Sequence, residues 1–269
     1  MLGLKMNIWA SSLIVASALV ASAATGSFTP AIAQEQKETP ANTQDQKGKI
    51  DEKAVTILNA MSDYLGKSKT IAFRTRSFYD VVLESGTMIK VGRLSRVLLK
   101  RPNDLNILSD GDDGSAATTW FDGTKLTIWK RDTNQAMSID FKGTTDEMLN
   151  HLIDKYGAQI PLSDFFYTNV GKSLSDALIS AEYIGTRVVD GVVCHQLAFQ
   201  SPGVNWQIWI EADETPVPRR FVMDFVEDEG KPQYMAQLDA WSIGGDIADY
   251  NFKAGVPKSV KQVEFKLKP

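Results

Sequence analysis

The stretch Val97–Ile107 reads VLLKRPNDLNI: an apolar strand runs into two adjacent cations and a proline, then resumes. Proline has no N–H to give to a sheet ladder, so Pro102 belongs at a strand end or in a turn. Neighbouring side chains on a strand point to opposite faces, so Lys100 and Arg101 cannot both face water if one face is covered. A plain solvated turn is the alternative, and the surrounding chain decides between the two.

Outward from this turn the pattern is that of a sheet. Upstream, residues 70–83 and 87–99 are long, rich in β-branched and aromatic side chains, and separated by Glu84-Ser85-Gly86. Downstream, 105–109 is a short strand. Residues 116–121 and 125–131 flank Asp122-Gly123, a strong hairpin signal, and 135–141 adds another strand. The period then changes. Thr144 and Glu147 have the spacing of a capping box, and Met148, Leu152, Ile153 and Tyr156 form an apolar stripe ended by Gly157. Residues 161–166 and 174–179 read as two further short helical pieces. Strands return at 182–189, 192–200, 204–211, 217–226 and 233–243. Ahead of the first strand, Ala54, Val55, Leu58, Met61 and Leu65 recur at helical spacing from Asp51, with Gly66 as a stop. Strands joined by such short turns must run antiparallel, which makes the fold class α+β with one large antiparallel sheet. No repeat and no long polar break divides 51–269, so it reads as one domain.

The N-terminus has a different character. Lys5 precedes an apolar run from Ile8 to Ala24, and Ala31-Ile32-Ala33 fits the small-x-small cleavage rule, so residues 1–33 are expected to be a cleavable signal peptide. A transmembrane anchor is the alternative, but the run is short for a span of about 20 apolar residues. Residues 34–50 are polar without an apolar period and read as a disordered linker. Cys194 is the only cysteine, which excludes an intramolecular disulfide, and export without one suits the periplasm of a Gram-negative bacterium. The net charge of -4 argues against a nucleic-acid partner.

Catalytic constellations are scarce. Cys194 and His195 are strand neighbours, point oppositely and cannot form a nucleophile–base dyad. His151 reads as part of a solvated helix face. Two separated histidines and one cysteine make no zinc spacing, and Asp110–Gly114 lacks the late glutamate of a calcium loop, so it reads as a turn. No phosphate loop or nucleophile elbow is present. The expectation is a protein that is not an enzyme and needs no cofactor or metal.

The strands themselves are unusual in being apolar on both faces. Trp206, Ile208 and Ile210 face one way and Trp209 the other; Phe221, Met223 and Phe225 face one way, Val222 and Val226 the other. A one-sided antiparallel sheet would alternate apolar with polar. Helices can cover one side, and an apolar ligand could share that role. The strand tryptophans 120, 129, 206, 209 and 241 suit either an ordinary core or an adaptable apolar pocket.

Taken in order, Gly92-Arg93-Leu94, Lys100-Arg101-Pro102-Asn103, Ser109-Asp110-Gly111 and the hairpin Trp120–Trp129 resemble the core of the LolA-like periplasmic lipoprotein carriers. The likeness is best over 51–141, and the order of elements extends it to about 250. The longer second half resembles an uncharacterised periplasmic branch, domain-of-unknown-function family 2092. The resemblance implies an unclosed half-barrel whose concave face is covered by helices acting as a lid. It also implies that Arg101 hydrogen-bonds lid backbone and latches a cavity, a task for which a guanidinium, with five donors, is suited. Leu105 and Ile107 match positions where the carriers have aromatic residues. Trp120 and Trp129, with Met148 and Leu152 of the helix, are expected to line the cavity. Trp206, Ile208, Phe221 and Met223 complete that expected lining.

The function so implied is that of a periplasmic carrier for a lipid, acyl chain or lipoprotein anchor. The expected protein is a monomer, with a lipid or acylated protein as ligand and a transient membrane-protein partner. An envelope regulatory or protein-interaction module on the same fold is the alternative. A lipid hydrolase would need a nucleophile and base that the sequence does not offer.

Overall fold

Strands β1 (Thr70–Val82) and β2 (Met88–Lys100) pair along their whole length, from Thr70 opposite Lys100 to Val82 opposite Met88, and form the spine of the molecule. The computed structural model describes residues 48–158, 160 and 162–265. The expected signal peptide, most of the expected linker and Pro161 lie outside the described residues. On one side of the spine follow β3 (Asp104–Gly111), β4 (Ala116–Asp122), β5 (Lys125–Lys130) and β6 (Gln135–Asp140). On the other side lie β11 (Gln233–Ile243), β10 (Pro218–Phe225), β9 (Val204–Glu211), β8 (Val192–Ser201) and β7 (Ser180–Val189). A two-residue strand, β12 (Lys261–Gln262), joins β6 in parallel and ends a 12-stranded sheet that runs from β12 to β7 without closing. This is the α+β, unclosed and mostly antiparallel architecture expected.

Short turns set this topology. Gly123, at φ +78°, lies where a Cβ would run into the Asn103 side chain, so the Asp122-Gly123 turn can pack against the Lys100–Asn103 turn only with glycine there. At β7, Lys49 and Asp51 hydrogen-bond both backbone groups of Ala181 (3.1 and 2.8 Å), so the last residues of the expected linker are part of the sheet edge.

Helix α1 (Glu52–Lys67) starts at Asp51, whose carboxylate accepts the Lys53 N–H at 2.9 Å, and buries Ala54, Leu58, Met61 and Leu65. Gly66 does not stop it. The helix runs one residue further, and Gly66 is small because the Thr168 carbonyl passes against it. Helix α2 (Thr145–Tyr156) has the full capping box and ends on Gly157 in the left-handed region. The expected helical piece at 161–166 is a 3₁₀ turn, Ser163–Phe166. The piece expected at 174–179 forms earlier, as α3 (Val170–Ser175), because Asn169 caps Lys172 N–H and Val170 is buried. Among the described residues, no helix is long and apolar enough to cross a membrane.

One continuous core fills the space between the helices and one face of the sheet. Leu58, Met61, Met148, Leu149, Phe165 and Phe166 enter it from the helical side, against Leu99, Phe121, Leu197, Phe199, Ile208 and Phe221. A second, small cluster on the opposite face joins Val189, Cys194, Trp209 and Val222. There Arg220 lies over the Trp209 ring, 5.5 Å from its centroid. The double-sided apolar strands are thus explained by helices on one face and by the sheet's own side chains on the other.

Candidate functional site

The turn after β2 separates its two cations as alternation requires. Lys100 turns to one side and pairs with Asp249 at 2.5 Å in a 3₁₀ turn, Asp249–Phe252. Arg101 turns to the helical side. Its Nη1 donates to the Phe166 carbonyl at 2.8 Å and its Nη2 to the Tyr167 carbonyl at 2.9 Å. Pro102, after a cis peptide bond, contributes its carbonyl to the N-terminus of α2, accepting the Thr145 N–H at 2.8 Å. Four residues of turn therefore hold both α2 and the 3₁₀ segment onto the end of the sheet. Burial lowers the Arg101 pKa from its ordinary value, and nearby Asp146 opposes that shift. An arginine's ordinary value is so high that the group stays a cation at neutral pH.

The segment that Arg101 holds carries two rings into the core. Phe166 lies 6.4 Å from Phe73, which is itself stacked on Trp241 at 4.5 Å. Phe165 meets Phe221 edge-on at 5.6 Å, and Trp206 lies between Phe221 (5.8 Å) and Phe199 (4.0 Å). Behind this segment α3 is fixed to α1, where Ser62 Oγ accepts the Gly171 N–H at 2.5 Å.

The expected lining residues divide into three groups. Leu105, Met148, Leu152, Trp206, Ile208 and Phe221 are buried on the helix-covered side, within the core. Ile107 and Met223 lie on the same side but are only half-buried. Trp120 and Trp129 do not belong to the set. Their strand neighbours Phe121 and Ile128 point into the core, so the two indoles stand on the opposite face. The expectation that they line the concave face is corrected by simple parity.

That opposite face also carries a surface depression of about 240 Å³, lined mainly by Ser180, Glu182, Gln200, Asn205, Gln207 and Asp224. Amides and carboxylates make it a poor site for an apolar chain. Cys194 and His195 lie on opposite faces: the thiol is buried and pushed up to about 11, whereas His195 meets the Tyr183 hydroxyl at 3.2 Å on the helical side. His151, expected on a solvated helix face, instead packs between Phe141 and Tyr156 at 4.9 and 5.7 Å.

Residues 54–266 match the family described as "Predicted periplasmic protein (DUF2092)". The chain belongs to this family. No curated protein matches it in sequence. Among solved structures it is similar to an uncharacterized conserved protein of Thermus thermophilus, with 13% identity, 79% of this chain and 99% of the other covered, and a TM-score of 0.47. It is also similar to the lipoprotein LppX of Mycobacterium tuberculosis, with 14% identity, coverage of 77% and 100%, and a TM-score of 0.44. A LolA-superfamily protein of Nitrosomonas europaea gives 10% identity, coverage of 75% and 97%, and a TM-score of 0.39. Identities this low leave the chemistry of the site to be read from this DUF2092 chain's own residues.

Proposed function

We propose that this DUF2092 protein is a periplasmic binding protein without enzymatic activity. It would hold the apolar chain of a lipid or an acylated protein on the helix-covered face of its half-barrel. The observation that carries the reading is the Arg101 latch. Two hydrogen bonds from one guanidinium fasten a short 3₁₀ segment whose Phe165 and Phe166 occupy the middle of the apolar face. Lifting that segment would vacate an aromatic-lined surface of Phe73, Trp206 and Phe221, with α1 and the α3 seam left in place.

The energetics are of the right size for a reversible device. Hydrogen bonds from a charged donor contribute about 1.5–3 kcal/mol each, and burying a phenylalanine about 1.5–3 kcal/mol. An incoming acyl chain gains about 0.8 kcal/mol per buried CH₂, so a chain of ordinary length offsets the opening. Native mass spectrometry of protein purified from periplasm, followed by lipid extraction, tests this: a bound acyl compound is expected, and protein free of lipid that also fails to take up added lipid would refute it.

A further inference from the structure

The helix-covered face is not apolar throughout. Phe73, Val97 and Ile107 are register partners across β1, β2 and β3, and the next row toward the β1–β2 hairpin is Thr75, Ser95 and Ser109. One row further, Ser77 stands opposite Arg93. Arg93 shares the face of Val97 and Leu99, because it lies an even number of residues from both in an unbroken register. It is half-buried, with Nη1 donating to Ser109 Oγ at 3.3 Å and Nη2 to Ser115 Oγ at 3.1 Å. Ser95 and Ser109 share a hydrogen bond at 3.0 Å, and Ser115 donates to Asp113 Oδ1 at 2.5 Å.

Among the described residues, Arg93 shares its lack of a carboxylate ion pair with Arg76, Arg96, Arg101, Arg187 and Arg220, and differs from them in spending its hydrogen bonds on side-chain hydroxyls. Arg74, Arg131 and Arg219 each pair directly with a carboxylate. Among the described residues, none of the ion pairs includes Arg93. Asp113 is joined to it through the Ser115 hydroxyl, whose hydrogen bond, helped by the Arg93 charge, holds that carboxyl below its ordinary range. Two of its five N–H donors are spent on neutral hydroxyls, which can turn to accept or donate. Beside this niche the apolar floor is incompletely covered: Ile107 and Ile128 are half-buried where Leu105 and Leu126 are buried. Rows two residues apart on a strand are separated by about 7 Å, so a chain lying on that floor has its end within reach of the guanidinium.

Resting on the carrier reading, we propose that Arg93, among Ser95, Ser109 and Ser115, binds the anionic end of the amphiphile, a carboxylate or phosphate. A guanidinium fork matches either group with two parallel hydrogen bonds. The ligand class is thereby narrowed from lipids in general to anionic ones.

The experiment compares a fluorescent long-chain fatty acid with its neutral alcohol analogue on the unaltered protein and on Arg93→Gln. The unaltered protein should bind the acid about tenfold more tightly than the alcohol, and in Arg93→Gln acid and alcohol should bind alike. Equal binding of acid and alcohol by the unaltered protein would overturn the headgroup site and leave the carrier reading standing; binding of neither would overturn both. The first comparison does not depend on the variant folding. Excess inorganic phosphate should at most cancel the acid's advantage and leave alcohol binding by the unaltered protein in place, whereas phosphate alone binding as tightly as the acid would overturn the lipid headgroup in favour of a free-anion site.

Discussion

Ser62 of α1 and Gly171 of α3 are joined in a buried seam, where the serine hydroxyl accepts the glycine N–H at 2.5 Å. A Cβ on Gly171 would lie 2.9 Å from both Ser62 Cβ and Oγ. The seam anchors the far end of the segment that Arg101 holds near its start, so the two contacts are expected to fail separately. Gly171→Ala overpacks a tight contact and should destabilise the protein by about 1–3 kcal/mol, seen in calorimetry as a melting point lowered by roughly 2–4 °C per kcal/mol. An unchanged melting point would show that the seam yields at no cost.

Arg101→Leu removes the latch and little core volume. Amide exchange around Phe166 and Tyr167 should quicken and binding of an apolar dye should rise, with a loss of about 3–6 kcal/mol in stability for the two hydrogen bonds together. A large loss of stability without any change in dye binding would make Arg101 a structural residue instead.

Asp164 introduces a pH dependence in the same segment. Burial pushes its carboxyl above the ordinary range, against the hydrogen bond donated by Ser173 Oγ at 2.5 Å. A folded-state pKa raised above the unfolded one means that the folded state holds the proton more tightly. Stability from this group is therefore present in acid and lost as pH rises through the raised value. Asp164→Asn should melt higher than the parent at neutral pH, and the difference should shrink on acidification. A variant that melts lower at neutral pH would show that the charged carboxylate stabilises the segment.

Much of this fold is legible along the chain because its signals are local. The Asp122-Gly123 turn, the Thr144–Glu147 capping box and the strand segments are found where the residue types place them. What escapes is set by contacts between distant segments. Lys261 and Gln262 form β12 only because β6 offers them an edge, and two polar residues carry no period of their own. The stretch 174–179 reads as a helix later than α3, whereas the Asn169 cap and the seam with Ser62 fix it earlier. The faces of Trp120 and Trp129 were legible by counting from Phe121 and Ile128, since parity on a strand is strict. The hydroxyl row around Arg93 was not, because Thr75, Ser95 and Ser109 become neighbours only once the register of three strands is known.

Leu105 and Ile107 stand two residues apart on β3 and separate folding from binding. Leu105 is 2% exposed and belongs to the permanent core, so Leu105→Asp should unfold the protein by burying an unpaired carboxylate. Ile107 is half-buried where the floor is incompletely covered. Ile107→Asp should fold, as judged by circular dichroism, yet bind an acyl chain at least tenfold more weakly, on the order of the cost of a carboxylate beneath the chain. Normal acyl binding by the folded Ile107→Asp protein would place the ligand elsewhere.

The most direct test of the central claim is equilibrium titration of the protein with a fluorescent long-chain alcohol at low and at high salt. A neutral probe reports the apolar face alone, without help from Arg93 or any other charge. Saturable one-site binding is expected, undiminished at high salt because apolar burial is not screened as exposed charge pairs are, and stronger or faster in Arg101→Leu. No saturable uptake by either protein, under either condition, would contradict the claim and leave Phe165 and Phe166 as permanent core.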